Sequence, residues 1–240
     1  MQTITKKTRE LGTSAGVILP RNWLNKQVTI TLNQPTKEQI LKDIIEILIE
    51  NNLTEQTKAI YLYGSHARND QDIESDIDIL VIANQNKIIN KNNYQILITT
   101  EKSLNNQNLH IQSIIKEAKP LLNKEILENK KPQIKTKPLL TEIEKILKIN
   151  KDTVETCKTN NLKIPDGIVY SLILRLRELY LIKTIKKQYN KQELIQITGE
   201  KPYSAYLRIK RNKKEINNTK PEELNKIIET SEKWLKELKE

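Results

Sequence analysis

Asp76 and Asp78 stand in an otherwise apolar run, Ser75-Asp76-Ile77-Asp78-Ile79-Leu80-Val81-Ile82-Ala83, and no other feature restricts the fold as much. Alternation on a β-strand sends Ile77 and Ile79 to one face and the two aspartates to the other. The carboxylates are then neighbours, and ionised groups that close repel each other unless a cation lies between them. Hard divalent cations take oxygen ligands, and magnesium usually brings phosphate as a further ligand. Upstream runs Tyr61-Leu62-Tyr63-Gly64-Ser65-His66-Ala67-Arg68, an apolar strand that ends in a tight Gly-Ser turn. Gly64, without a side chain, lets backbone N–H groups approach a phosphate, and the Ser65 hydroxyl adds a donor. Arg68 reaches either the same phosphates or a nearby acid. Asp70, Asp72 and Glu74 read as a solvated acidic turn, and His66 as structural or at most a contact to a bound ligand.

The surroundings of this segment read as α+β. Thr36 caps a helix to Asn51, with Ile40, Leu41, Ile44, Ile45 and Leu48 as its apolar stripe. Strands follow over 59–63 and 77–83, then 94–99 as a short strand or helix end, and Leu109–Ile114 as a further strand. Basic, proline-punctuated sequence at 129–132 and 135–138 suggests a linker. Beyond it the pattern predicts helices over 139–158, 166–187, 191–197, 202–213 and 221–238, several opened by a proline. The first residues read as a small β unit, alternating over 3–8 and 27–32, with turn chemistry at 12–16, a short strand at 17–19 and a helical turn opened by Pro20. The expected domains are therefore 1–34, 36–135 and 139–240.

The chain has 41 Lys and Arg against 30 Asp and Glu, a formal charge of +11 that suits phosphate-rich partners or reflects a Lys-, Asn- and Ile-rich composition. A lone cysteine, Cys157, rules out an internal disulfide and fits a reducing cytoplasm. No apolar stretch is long enough to cross a bilayer, and residues 1–7 lack a signal-peptide core.

The spacing Gly64-Ser65, ten residues, then Asp76-Ile77-Asp78 resembles the signature of minimal nucleotidyltransferases of the DNA polymerase β superfamily. That resemblance covers about residues 36–130. It implies a small mixed sheet, Gly64 and Ser65 on the triphosphate of the incoming nucleotide, and Asp76 and Asp78 on two Mg2+ ions. It further implies attack by an acceptor hydroxyl on the α-phosphate of the nucleotide, ATP, with release of pyrophosphate. The family pattern includes a third carboxylate on a later strand. On the strand expected at 109–114, His110 or Gln112 stands there instead, unless Glu101 or Glu117 reaches in.

Residues 3–32, especially Gly12 to Leu24, resemble the AbrB-like swapped hairpin, which implies a homodimer and DNA-phosphate contacts through Lys6, Lys7, Arg9 and Arg21. In the helical part, Arg175 and Arg177 either pair with an acid such as Glu178 or reach the nucleotide's phosphates. The run Arg208, Lys210, Arg211, Lys213, Lys214 reads as a solvated helix face or as a contact to an acidic or nucleic-acid partner. Helical partners of such enzymes include HEPN bundles. No histidine follows His110, so that group's ribonuclease motif is absent and no RNA cleavage is expected. Resemblance to antitoxin-type minimal nucleotidyltransferases implies a protein acceptor, such as a toxin. The alternatives are a small-molecule acceptor of antibiotic type, and a DNA-binding regulator with a decayed nucleotidyltransferase fold.

Overall fold

The computed structural model describes residues 3–6, 8–31, 33–72, 75–128, 130–131, 134–184 and 191–240. Lys7, Leu32, Glu74, Asn129, Pro132 and the end of the helix expected over 166–187 lie outside them. The chain divides into two compact units, 1–36 and 37–240.

The first unit holds one antiparallel hairpin, β1 (Arg9–Leu11) and β2 (Ser14–Gly16), turned at Gly12 with φ +58°. Pro20 does open a helical turn, a single 3-10 turn over Arg21–Trp23. The strands expected over 3–8, 17–19 and 27–32 are not formed among the described residues. Alternation alone does not make a strand, because its N–H and C=O groups need a partner, and a lone hairpin has too little apolar area to recruit one. Leu11, Ile18, Leu24 and Ile30 are accordingly 60–74% exposed.

The second unit opens with α1 (Lys37–Glu50), whose Ile40, Ile44, Ile47 and Leu48 are buried as the three- and four-residue spacing requires. Then follow β3 (Ala59–Tyr63), the short α2 (Gly64–Arg68), β4 (Ile77–Ile82), β5 (Lys87–Lys91) and β6 (Tyr94–Thr99). The next elements are α3 (Leu109–Glu117), β7 (Lys119–Leu122) and α4 (Glu125–Glu128). The sheet order is β5-β6-β4-β3-β7, with β4 and β6 parallel and the other neighbours antiparallel. The α1 side of the sheet buries Ile60, Leu62, Ile77, Ile79 and Ile96, and the other side buries Tyr61, Leu80 and Ile82 with Ile114 and Ile115.

The strand expected over 109–114 is helical. Asn108 caps the helix by accepting from His110 N at 2.8 Å, and buried Gln112 donates to the Leu104 and Asn106 carbonyls, so the segment packs its Ile111, Ile114 and Ile115 face on the sheet. Strands β5 and β7, which sequence patterning missed, are short edge strands with interrupted alternation.

The remaining helices are α5 (Thr136–Thr159), α6 (Asp166–Lys183), α7 (Lys191–Thr198), α8 (Glu200–Lys210) and α9 (Asn225–Lys239). α5 begins three residues earlier than expected, taking Pro138 into its first turn, where a missing N–H costs nothing. These helices share a core around Leu172, Leu176, Leu179 and Ala205. Among the described residues no helix is long and apolar enough to cross a membrane.

Candidate active site

Strand β3 delivers Gly64 and Ser65 at its C-terminal end, and Tyr63 pairs with Asp78 across the antiparallel ladder. That register brings turn and acids together. Gly64 takes φ +70°, and a Cβ built on it would lie 2.0 Å from Asp78 Oδ2. The glycine is thus required because the Asp78 carboxylate fills the space a side chain would need. Its N–H is not free for a phosphate: it donates to Glu117 Oε1 at 3.1 Å. Arg68 Nη1 donates to Glu117 Oε2 at 2.6 Å and its Nε to Asp70 at 3.2 Å, so of the two readings of Arg68 the geometry gives the acids. Glu117 and Arg68 together brace the turn. His66 faces the Ser75 carbonyl at 3.4 Å, tying the turn to the loop before the acids.

Asp76 and Asp78 line one cleft of about 350 Å3 with Ser65. Burial pushes the Asp78 carboxyl from its ordinary 3.8 up to about 6; Asp76 and Glu117 add to this, against Lys210 and Arg68. A carboxyl raised in this way makes the folded state pay for its charge, a cost absent below 3.8 and complete above about 6. A bound cation relieves it. Among the described residues no three carboxylate, histidine or cysteine side chains gather as a metal cage. Two carboxylates do suit magnesium, which takes its remaining ligands from phosphate and water.

The other wall comes from the helices, through Arg177, Lys191, Tyr203, Tyr206, Lys210, Arg211 and Lys213. The basic run in α8 and beyond is therefore no simple solvated face. Arg208 is committed to buried Asp166, Arg211 to Asp72, and Lys210 and Lys213 line the cleft. Burial, followed by Arg177, holds the Lys210 ammonium below the usual lysine range against the pull of Asp78; the residue nonetheless stays open to solvent through the cleft. Arg175 and Arg177 part company: Arg175 lies 2.9 Å from Glu178, whereas Arg177 donates to the Tyr206 hydroxyl and lines the cleft.

Asp72 is also more than a solvated turn. It accepts from Arg211 at 2.8 and 2.9 Å, from Lys191 at 3.1 Å and from Ser75, clamping the loop before Asp76 to the helices. Burial alone would raise its carboxyl, but Lys191, Ser75 and Arg211 win and bring it to about 2.

Of the expected substitutes Glu117 does reach in, binding the Gly64 amide and Arg68 and raising the Asp78 carboxyl, although it does not line the cleft; the others stay away. His110 lines a second cavity, Gln112 is spent on backbone carbonyls, and Glu101 is exposed, 3.7 Å from Lys58. Beside Asp78 in the parallel ladder stands Gln95 of β6, on the wall of the same cleft. The sequence offers Arg177 to the phosphates as one of two readings but does not mark Lys210 or Gln95 as cleft residues; only the β4–β6 pairing and the packing of α6 on α8 bring all three there. The second cavity, about 650 Å3, lies between α3, α5, α6 and α8 and shares Arg177, Tyr206 and Lys210 with the first.

No curated protein matches the sequence. Among solved structures, 35% of the chain aligns with 73% of a toxin-antitoxin protein crystallised with AMP-PNP, at 22% identity and a TM-score of 0.26. Spectinomycin adenyltransferase AAD(9) from Enterococcus faecialis, crystallised with ATP and spectinomycin, aligns over 85% of this chain and 100% of its own, at 15% identity and 0.43. A nucleotidyltransferase-like protein from Exiguobacterium sibiricum aligns over 82% and 75%, at 14% and 0.32. Scores this low carry no argument about substrate. Residues 42–139, however, match the family described as Polymerase beta, Nucleotidyltransferase. With a mixed sheet that sets a Gly-Ser turn against two aspartates, the chain carries a nucleotidyltransferase domain of the polymerase β superfamily.

Proposed function

We propose that this protein is a Mg2+-dependent nucleotidyltransferase that moves a nucleoside monophosphate, AMP from ATP, onto an acceptor hydroxyl. The observation that carries this reading is the single cleft in which Asp76 and Asp78 face Ser65 on one side and Arg177, Lys210 and Lys213 on the other. Carboxylates on one wall and cations on the other match a metal-bound polyphosphate.

Asp76 and Asp78 would hold two Mg2+ ions. When bound, they supply an activated attacking oxygen and neutralise charge on the leaving pyrophosphate. Gly64 keeps Asp78 close to the turn, Ser65 offers a hydroxyl to a phosphate oxygen, and Arg68 fixes the turn through Glu117. The Asp72 clamp orders the approach to Asp76. Gln95, an amide beside Asp78, leaves proton removal from the acceptor to the existing carboxylates.

The acceptor favoured from sequence is a protein hydroxyl, such as that of a toxin. The second cavity favours a small-molecule acceptor as the other reading, since its volume is that of a ligand site. Incubation with Mg2+, α-labelled ATP and cell lysate should label a protein band in the first case and a low-mass product in the second. Undiminished labelling by the Asp76→Asn, Asp78→Asn double variant would sink the transferase reading.

We also propose that residues 1–34 pair two chains and offer Lys6, Arg9 and Arg21 to DNA phosphates. Support comes from the exposed Leu11, Ile18, Leu24 and Ile30. Sedimentation should show a dimer that becomes a monomer, with DNA retention lost, when the segment is removed. A deletion that stays dimeric would refute the pairing.

A further inference from the structure

We infer that the second cavity is the acceptor chamber of the transferase proposed above, and that Lys210, in the wall shared with the acid-lined cleft, contacts the phosphoryl group during transfer. The inference rests on that reading of the cleft and adds to it where the acceptor enters.

In-line displacement places the attacking and leaving oxygens on opposite sides of phosphorus. The leaving pyrophosphate belongs with the cations around Asp72, where Lys191, Arg211 and Lys213 gather. The attacking hydroxyl must arrive from another direction, and among the described residues the second cavity shares Arg177, Tyr206 and Lys210 with the cleft. Tyr206 is fixed in that wall: it accepts from Arg177 and stacks on Tyr170 with centroids 5.3 Å apart and planes 11° apart. Arg177 is turned onto the same ring, 5.4 Å from its centroid. Lys210 differs. It has no hydrogen-bond or ion-pair partner among the described residues, is open to both cavities, and feels Asp78 across the cleft. An ammonium so placed meets the phosphorus as the acceptor oxygen bonds to it and the bond to pyrophosphate breaks. The electron pair of that bond leaves with pyrophosphate, and the acceptor's proton passes to a carboxylate of the cleft. Charge accumulates on the phosphoryl oxygens in that state, where a preplaced cation acts most strongly. On the chamber side stand Arg175 and Glu178, paired at 2.9 Å, with the buried Arg175 Nε making no hydrogen bond among the described residues. They would complement a polar, hydroxyl-bearing acceptor.

The test compares the parent with Lys210→Met, Lys210→Arg and Ser113→Trp, the last narrowing the second cavity. Calorimetry measures Mg–ATP uptake, and label from α-labelled ATP measures transfer to the acceptor in lysate. Lys210→Met should lower transfer about 100-fold, far more than it weakens Mg–ATP uptake, and Lys210→Arg should recover much of the rate. Ser113→Trp should bind Mg–ATP normally and raise the apparent KM for acceptor. Parental transfer by Lys210→Met or by a folded Ser113→Trp would overturn the inference, as would loss of Mg–ATP uptake in Lys210→Met as deep as in the double aspartate variant. Absence of Mg–ATP uptake by the parent would instead remove the underlying transferase reading.

Discussion

Gly64→Ala should cost this protein about 100-fold or more in nucleotidyl transfer, a larger effect than a methyl group ordinarily has. Two independent penalties meet at this residue. The backbone lies at φ +70°, where a side chain costs roughly 1–2 kcal/mol. The new Cβ would also fall 2.0 Å from Asp78 Oδ2, so the carboxylate must move by more than an ångström or the turn must open. Either movement pulls Asp78 out of line with Ser65, and a misplacement of that size is enough for the predicted loss. Labelling kinetics and Mg–ATP calorimetry should fall together, because the damaged element is the proposed metal ligand Asp78. A Gly64→Ala protein with parental kcat would show that Asp78 does not work from its observed position. Gly167 is the natural control: it lies in α6 with nothing within 4 Å of a built Cβ, so Gly167→Ala should leave transfer intact.

Asp166→Ala should be the most destabilising single change among the ion pairs, by about 3 kcal/mol. Asp166 is fully buried and receives Arg208 Nε at 2.7 Å, Arg208 Nη2 at 3.0 Å and Ile216 N at 3.1 Å. Truncation leaves the half-buried guanidinium and one amide without their acceptor. At roughly 2–4 °C per kcal/mol for a chain of this size, the melting temperature should fall by roughly 6–12 °C. The exposed Lys201–Glu223 pair should contribute little, so Lys201→Ala serves as the comparison. The pH dependence carries a sign. Burial alone would raise the Asp166 carboxyl, but Arg208 and the Ile216 amide hold it below its ordinary 3.8. Its stabilisation is therefore complete above 3.8 and disappears as pH falls through the depressed value. Parent and variant should melt closer together in acid than at pH 7. A gap that stays constant on acidification would refute the pairing as its source. Because Arg208 and Lys210 share the last turn of α8, the variant should also lose transfer at temperatures below its melt.

How much of this was written in the chain differs from element to element. The helix over 37–50 was legible because it buries a periodic face, and the two central strands because each is an apolar run buried on both faces, properties of neighbouring residues. The segment 109–117 was not: its apolar residues fit a strand as well as a helix, and the choice fell to an Asn108 cap and to carbonyls of Leu104 and Asn106. The first unit marks the opposite limit, since alternation there lacked a strand to pair with.

At the candidate site, the sequence by itself determined that two carboxylates share a strand face and follow a glycine-serine turn, because strand alternation and short-range spacing require nothing from elsewhere. The tertiary structure alone decided that Gly64 makes room for Asp78, that Glu117 takes the Gly64 amide, that Gln95 flanks the acids and that Lys210 faces them. Those partners lie tens to more than a hundred residues away along the chain, and only strand register and helix packing bring them within reach of one another's charge.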